Sequence, residues 1–159
     1  MTKENSKILI TKVKLNNDDT AHIEFKKSDN LGAGSTSWDG EEKVTEDFKK
    51  TFQDSVNSFC EIIPALREDK SKITMNAITF NYGNGEKIEK VSYTVKYTPQ
   101  SSVLTNIPIN NIPIYKESFT EKTFSVSGKD EKLLYSILDC AQGYLNGDTR
   151  TKQIKLEVV

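Results

Sequence analysis

Residues 73–109 constrain the fold more than any other stretch. They read I-T-M-N-A-I-T-F-N-Y, then G-N-G-E-K, then I-E-K-V-S-Y-T-V-K-Y-T, then P-Q-S-S, then V-L-T-N-I-P-I. Three runs rich in β-branched and aromatic residues, parted by two turn signals, predict an antiparallel meander. Gly83-Asn84-Gly85 accepts positive φ at little steric cost. In the middle run Val91, Tyr93, Val95 and Tyr97 alternate with Lys90, Ser92, Thr94 and Lys96. One face therefore meets a core and the other meets water.

Two amphipathic helices can cover the core face. Thr45 is a good N-cap, with Glu46 and Asp47 in the first turn, where acidic groups suit the helix dipole. Phe48, Phe52, Val56, Phe59 and Ile63 then recur at steps of four, four, three and four, one apolar stripe on a helix over residues 46–63. Three phenylalanines on one stripe read as core packing. Pro64 should end or kink that helix. The second helix is predicted over 128–145. Ser127 and Asp130 frame its start, Leu134, Ile137, Leu138, Ala141, Tyr144 and Leu145 form its stripe, and Asn146-Gly147 stops it.

Ahead of the first helix, residues 7–15 suit a strand with Leu9, Val13 and Leu15 on one face. Asn16-Asn17-Asp18-Asp19 reads as a turn. In residues 20–26, Ala21, Ile23 and Phe25 face in, while His22, Glu24 and Lys26 face out. The two runs make a hairpin. Residues 27–44 lack an apolar period and are expected to form a long loop, a class that often carries function. The segment 107–114 holds Pro108 and Pro113, which cannot donate to a ladder, so an edge strand or an extended crossing is expected. A further short strand is expected near 122–126. Residues 1–6 are polar and expected to fray, and residues 148–159 form a charged tail ending I-K-L-E-V-V.

The order ββαβββ(β)α, in one domain of 159 residues, predicts an α+β two-layer sandwich. An antiparallel sheet of five to six strands carries two helices on one face. With 22 basic and 23 acidic residues the net charge is −1. That balance argues against general duplex nucleic-acid binding but leaves room for a local basic groove. No apolar run reaches the length of a membrane span, the first residues do not read as a secretory signal, and Cys60 and Cys140 fall within predicted helices as reduced thiols. The cytoplasm is the expected compartment.

No catalytic constellation stands out, and no cofactor or metal is expected. The one histidine, His22, sits on an outward strand face without a nucleophile motif around it. Metal-ligand spacings are absent, and Asn17-Asp18-Asp19 reads as a turn, not a calcium loop. Gly32, Gly34 and Ser35 could cradle a phosphate, but the lysine ending of a P-loop is missing. Trp38, with Leu31 nearby, could anchor a partner, stack on a base or fold back as a lid. Tyr82, Lys90, Lys96 and Tyr97 could form a basic, aromatic outward face suited to a partner or to single-stranded nucleic acid. Cross-strand Lys-Glu pairing explains the same pattern.

The runs I-T-K-V-K-L, A-H-I-E-F-K, E-D-F-K-K-T-F, I-T-F-N-Y with E-K-I-E-K-V-S-Y-T-V-K-Y, and L-L-Y-S-I-L-D-C-A-Q-G-Y-L-N-G resemble a family of small uncharacterised bacteriophage proteins. Their genes tend to lie beside phage recombination and single-strand-binding genes. Where that family often has His-Pro-Asp before the first helix, Thr45-Glu46-Asp47 stands here, and the proline-bearing 107–114 segment also departs from its pattern. The resemblance implies a non-enzymatic protein of the bacterial host cell that binds a host factor, as in counter-defence. Its alternatives are a recombination accessory on single-stranded nucleic acid and a small-molecule or nucleotide binder.

Overall fold

The computed structural model describes residues 8–27, 36–82, 87–98, 105–114, 126 and 128–146. The hairpin is β1 (Ile8–Leu15) and β2 (Ala21–Lys27), and it is followed by a short β3 (Thr36–Asp39). Helix α1 (Glu46–Ile62) leads through a 3-10 segment (Pro64–Lys72) into β4 (Ile73–Asn81), β5 (Lys90–Tyr97) and β6 (Thr105–Pro113), and α2 (Gly128–Leu145) closes the described chain. The strands form one antiparallel sheet in the order β3-β2-β1-β4-β5-β6. The α+β class and the sequence of hairpin, helix, meander and helix are as the pattern predicts.

Both helices lie on one side of the sheet: α1 packs on β4, α2 packs on β1, and the two helices pack on each other. Phe48, Phe52, Val56 and Phe59 of α1 are buried, as are Leu134, Ile137, Ala141 and Tyr144 of α2. They close on Val13, Ile23, Ile78 and Tyr93 of the sheet in a single apolar cluster. Thr45 caps α1 by accepting from the Phe48 N–H at 3.1 Å. In the turn after β1, Thr20 Oγ1 donates to Asp18 Oδ1 at 2.6 Å, and Asp19 adopts a left-handed φ of 67°, a conformation Asp tolerates.

Three irregularities in the ladder were not readable from alternation. In β1 the register steps from Ile10↔Phe25 to Lys12↔Glu24. This bulge flips the parity, so Ile10, not Leu9, shares the face of Val13 and Leu15; Leu9 pairs with Lys26 on the other face, yet it is buried and joins the same apolar cluster. In β4 a bulge falls between Met75 and Ala77, where Gln53 of α1 accepts from the Met75 N–H at 3.3 Å and donates to the Ile73 carbonyl at 3.1 Å. In β6, Asn110 and Asn111 together oppose Ser92. Asn111 takes φ 59° there, and its N–H donates to Ser92 Oγ at 2.9 Å.

Three further expectations need correction or extension. The stretch 27–44 is not wholly loop, because β3 forms within it on β2. Pro64, expected to end or kink the first helix, follows its end at Ile62 and opens a 3-10 segment through Lys72. The proline-bearing run is an edge strand, continuous from Thr105 to Pro113. Of the strand expected near 122–126 only Val126 is described, in an isolated parallel bridge to Ile114. Residues 1–6, the Ser127 cap and the tail 148–159 lie outside the described residues. Cys60 and Cys140 are free thiols, and no described helix is long and apolar enough to cross a membrane.

Candidate partner-binding edge

β3 is four residues, T-S-W-D, all exposed. Its register sets Trp38 opposite Ile23 and Asp39 opposite His22, so the Trp38 ring lies on the helix side. Gly40 N donates to Ala21 O at 3.0 Å. Hydrogen-bonded and non-hydrogen-bonded pairs alternate along an antiparallel ladder. The N–H and C=O groups of Ser37 and Asp39 therefore point away from β2, and no described strand pairs with them.

Trp38 is the only exposed large hydrophobic residue among those described, at 37 %. Its ring stands edge-on to Tyr144, with centroids 5.3 Å apart. The ring is therefore partly covered, resting edge-on against Tyr144 at the sheet edge. Tyr144 is the prop. It is buried, meets Phe48 edge-on at 6.0 Å, donates its hydroxyl proton to the Glu42 carbonyl and lies 3.4 Å from the Ala21 N–H. Burial pushes its phenol above the ordinary range. Gly40 permits this arrangement, because a Cβ there would collide with the Tyr144 hydroxyl and ring.

The two edges of the sheet differ. β6 presents Pro108 and Pro113 and a bulge, features that blunt an edge against further pairing. β3 has neither proline nor lysine, only an upright indole.

Beside β3, His22 bridges two carboxylates: Nδ1 lies 2.6 Å from Asp39 Oδ1 and Nε2 lies 3.1 Å from Glu24 Oε2. The Asp39 hydrogen bond is the main reason the imidazole is held above its ordinary value of 6.5, with Glu24 adding to it against the opposing effect of partial burial. A raised folded-state value favours the protonated ring in the native state. Its stabilising contribution is thus complete below about pH 6.5, the unfolded value, and is lost as pH rises through the folded value. The stability gap between the native protein and His22→Gln should accordingly shrink between pH 6 and pH 8 in thermal melts; a gap that widens would contradict the bridge.

On the helix side a cleft of about 1020 Å³ opens between α1, the 3-10 segment and α2, lined by Asp54, Glu61, Arg67, Lys70, Lys129 and Asp130 among others. Burial, then the neighbouring Asp130, pushes the Glu61 carboxyl up. Behind them Ser58 Oγ and Tyr93 Oη lie together, buried and without a hydrogen bond of ordinary geometry. Cys60, also on this wall, is a poor nucleophile, because burial raises its thiol and the thiol points at the Leu66 carbonyl 3.8 Å away. Among the described residues no group of three or more ligating side chains could hold a metal.

The remaining residues singled out from sequence do not share one face. Lys90 and Lys96 lie on the open side of β5. Tyr82 does not join them: it is buried, and its hydroxyl donates to the Ile10 carbonyl at 2.7 Å, at the β1 bulge. Tyr97 sits on the helix side, donating to Asp69. The basic, aromatic face is thus split, with rings on one side and lysines on the other. Leu31, Gly32, Gly34 and Ser35 lie outside the described residues. Sequence reasoning placed Tyr144 on the second helix's stripe but missed its contact with Trp38, and missed Gly40 and the outward backbone of Ser37 and Asp39; the one available signal was a tryptophan in a four-residue run closed by Gly40.

Compared with known proteins, the chain matches no family model, no curated protein and no solved structure.

Proposed function

We propose that the protein is a non-enzymatic binding protein of bacteriophage type, which takes hold of a host protein in the bacterial cytoplasm by pairing an extended segment of it with β3. Counter-defence is the role such binding would serve. The observation that supports this reading is the contrast between the two sheet edges: β6 is blunted by prolines and a bulge, whereas β3 offers backbone groups at Ser37 and Asp39 beside an upright Trp38. Strand addition draws affinity from main-chain hydrogen bonds and specificity from side-chain contacts. An aromatic ring held rigid beside the edge is the kind of anchor that dominates interface energies.

Affinity capture from bacterial lysate tests the reading with two variants. Ser37→Pro removes one outward N–H and no bond to β2. Trp38→Ala removes the ring. Each should weaken capture of the same host protein by about 2 kcal/mol or more, roughly thirtyfold. Trp38→Ala should also lower stability, by about 1 kcal/mol for its edge-on contact with Tyr144 and further for the covered part of the ring that it exposes, so circular dichroism must show the variant folded before its capture is compared. A host protein retained equally by both variants, or no specific capture by the folded native protein, would count against the proposal.

A further inference from the structure

The far side of the sheet carries a charge the whole chain does not. Neither helix packs on it, since both lie opposite, although Leu9 at its β1 end is itself buried. Reading the register across the strands, this face presents Lys12 and Lys14 from β1, Lys26 from β2, and Lys90 and Lys96 from β5. Among the described strand residues, only Glu24 and Asp39 stand against these five lysines on this face, and both are engaged by His22. None of the five lysines forms an ion pair with a described residue; Lys96 only donates to Asn17 Oδ1, at 3.2 Å. A protein of net charge −1 therefore carries a local excess of positive charge on this face. The balancing acids lie elsewhere, as with Glu46, Asp47, Asp54 and Glu61 on α1.

The centre of the face, between the lysines of β1 and β5, is built of small residues, with Leu9 beside Lys26 and Pro108 and Pro113 along the β6 edge. Ala77 pairs with Lys14 on one side and Thr94 on the other, and Thr79 pairs with Lys12 and Ser92. Among the described residues no Phe, Tyr or Trp ring faces this way to serve as an anchor. A protein partner would need such an anchor, whereas a phosphate backbone needs only cations and hydroxyl groups. A duplex read in its groove calls for a helix or ribbon that enters it, and this face offers neither. We infer that the open face of the sheet is a binding surface for the sugar–phosphate backbone of single-stranded nucleic acid, held by Lys12, Lys14, Lys26, Lys90 and Lys96 without base stacking.

His22 makes the surface pH-sensitive. It is faced by Asp39 from β3, by Glu24 on its own strand, and by Lys14, its register partner on β1, with Lys12 one pair further along. Protonation cancels part of the charge of the two carboxylates, so the face grows more basic as pH falls and binding strengthens.

Fluorescence anisotropy with labelled oligothymidine tests this. Saturable binding is expected at about 50 mM salt, falling steeply by about 200 mM. Removing lysines should flatten the salt dependence: Lys14→Gln with Lys96→Gln should reduce the logarithmic slope by about 0.7 per lysine lost. These are surface positions, and circular dichroism verifies the fold. Oligoadenine should bind as well as oligothymidine, because no ring reads the base. Native binding should tighten from pH 8 to pH 6, and His22→Gln should remove that response. Absence of binding at the lower salt overturns the inference, whether or not poly-L-glutamate binds. So does binding that survives the lysine changes but is lost in Arg67→Gln, which would place the site in the helix-side cleft.

Discussion

Replacing Phe52 by alanine is expected to lower stability by about 3–5 kcal/mol, the range for truncating a buried aromatic residue. Phe52 is 1 % exposed and lies midway along the α1 stripe between Phe48 and Val56. The next residue, Gln53, fixes α1 to β4 through both of its amide atoms, so the helix cannot readily shift to fill the space left behind. A residual cavity then adds to the lost transfer free energy. Because small domains hold about 5–15 kcal/mol in total, this one change removes a large share. Denaturant melts measure it. A loss below about 1 kcal/mol, far under the range for buried aromatics, would mean that the stripe does not form the core.

Gly40→Ala should be nearly as damaging, although it adds only a methyl group. The added carbon would collide with the Tyr144 hydroxyl and come within 2.5 Å of ring carbons Cε2 and Cζ. The ring has nowhere to retreat: it is 3 % exposed, packed against Phe48, and tied to Glu42 and Ala21. Either Tyr144 swings out and gives up those hydrogen bonds, or β3 lifts from β2 and gives up the Gly40–Ala21 bond. Overpacking alone costs about 1–3 kcal/mol, and each lost hydrogen bond adds about 1 kcal/mol. Either movement also alters the surroundings of Trp38, so its fluorescence emission should change together with the melting temperature. An unchanged melting temperature and an unchanged emission spectrum would contradict the packing described here.

Periodicity revealed most of the architecture because burial repeats where the backbone is regular. The step of three to four from Phe48 to Phe59 found α1 and its buried face, and the alternation of Val91, Tyr93 and Val95 found β5. The bulge after Ile10 was hidden because one inserted residue reverses every side chain beyond it, which is why Leu9 reads as a partner of Val13. β3 was hidden because T-S-W-D is too short to show a period, and its partner β2 is fixed by tertiary pairing. Tyr82 misleads for a related reason: it follows a strand in a polar stretch, yet its hydroxyl serves the carbonyl exposed by the β1 bulge. The candidate edge was the least legible part. Its outward groups are backbone atoms, and its tryptophan is held by Tyr144, 106 positions later in the chain, a contact that no local spacing can disclose.

The direct test of strand addition is amide hydrogen exchange at Ser37 and Asp39, measured in the free protein and in complex with the captured host protein. Pairing with an extended segment should slow exchange at both amides by orders of magnitude while leaving Trp38, whose amide faces β2, little changed. Equal exchange at Ser37 and Asp39 in the free and bound states would show that the partner binds elsewhere.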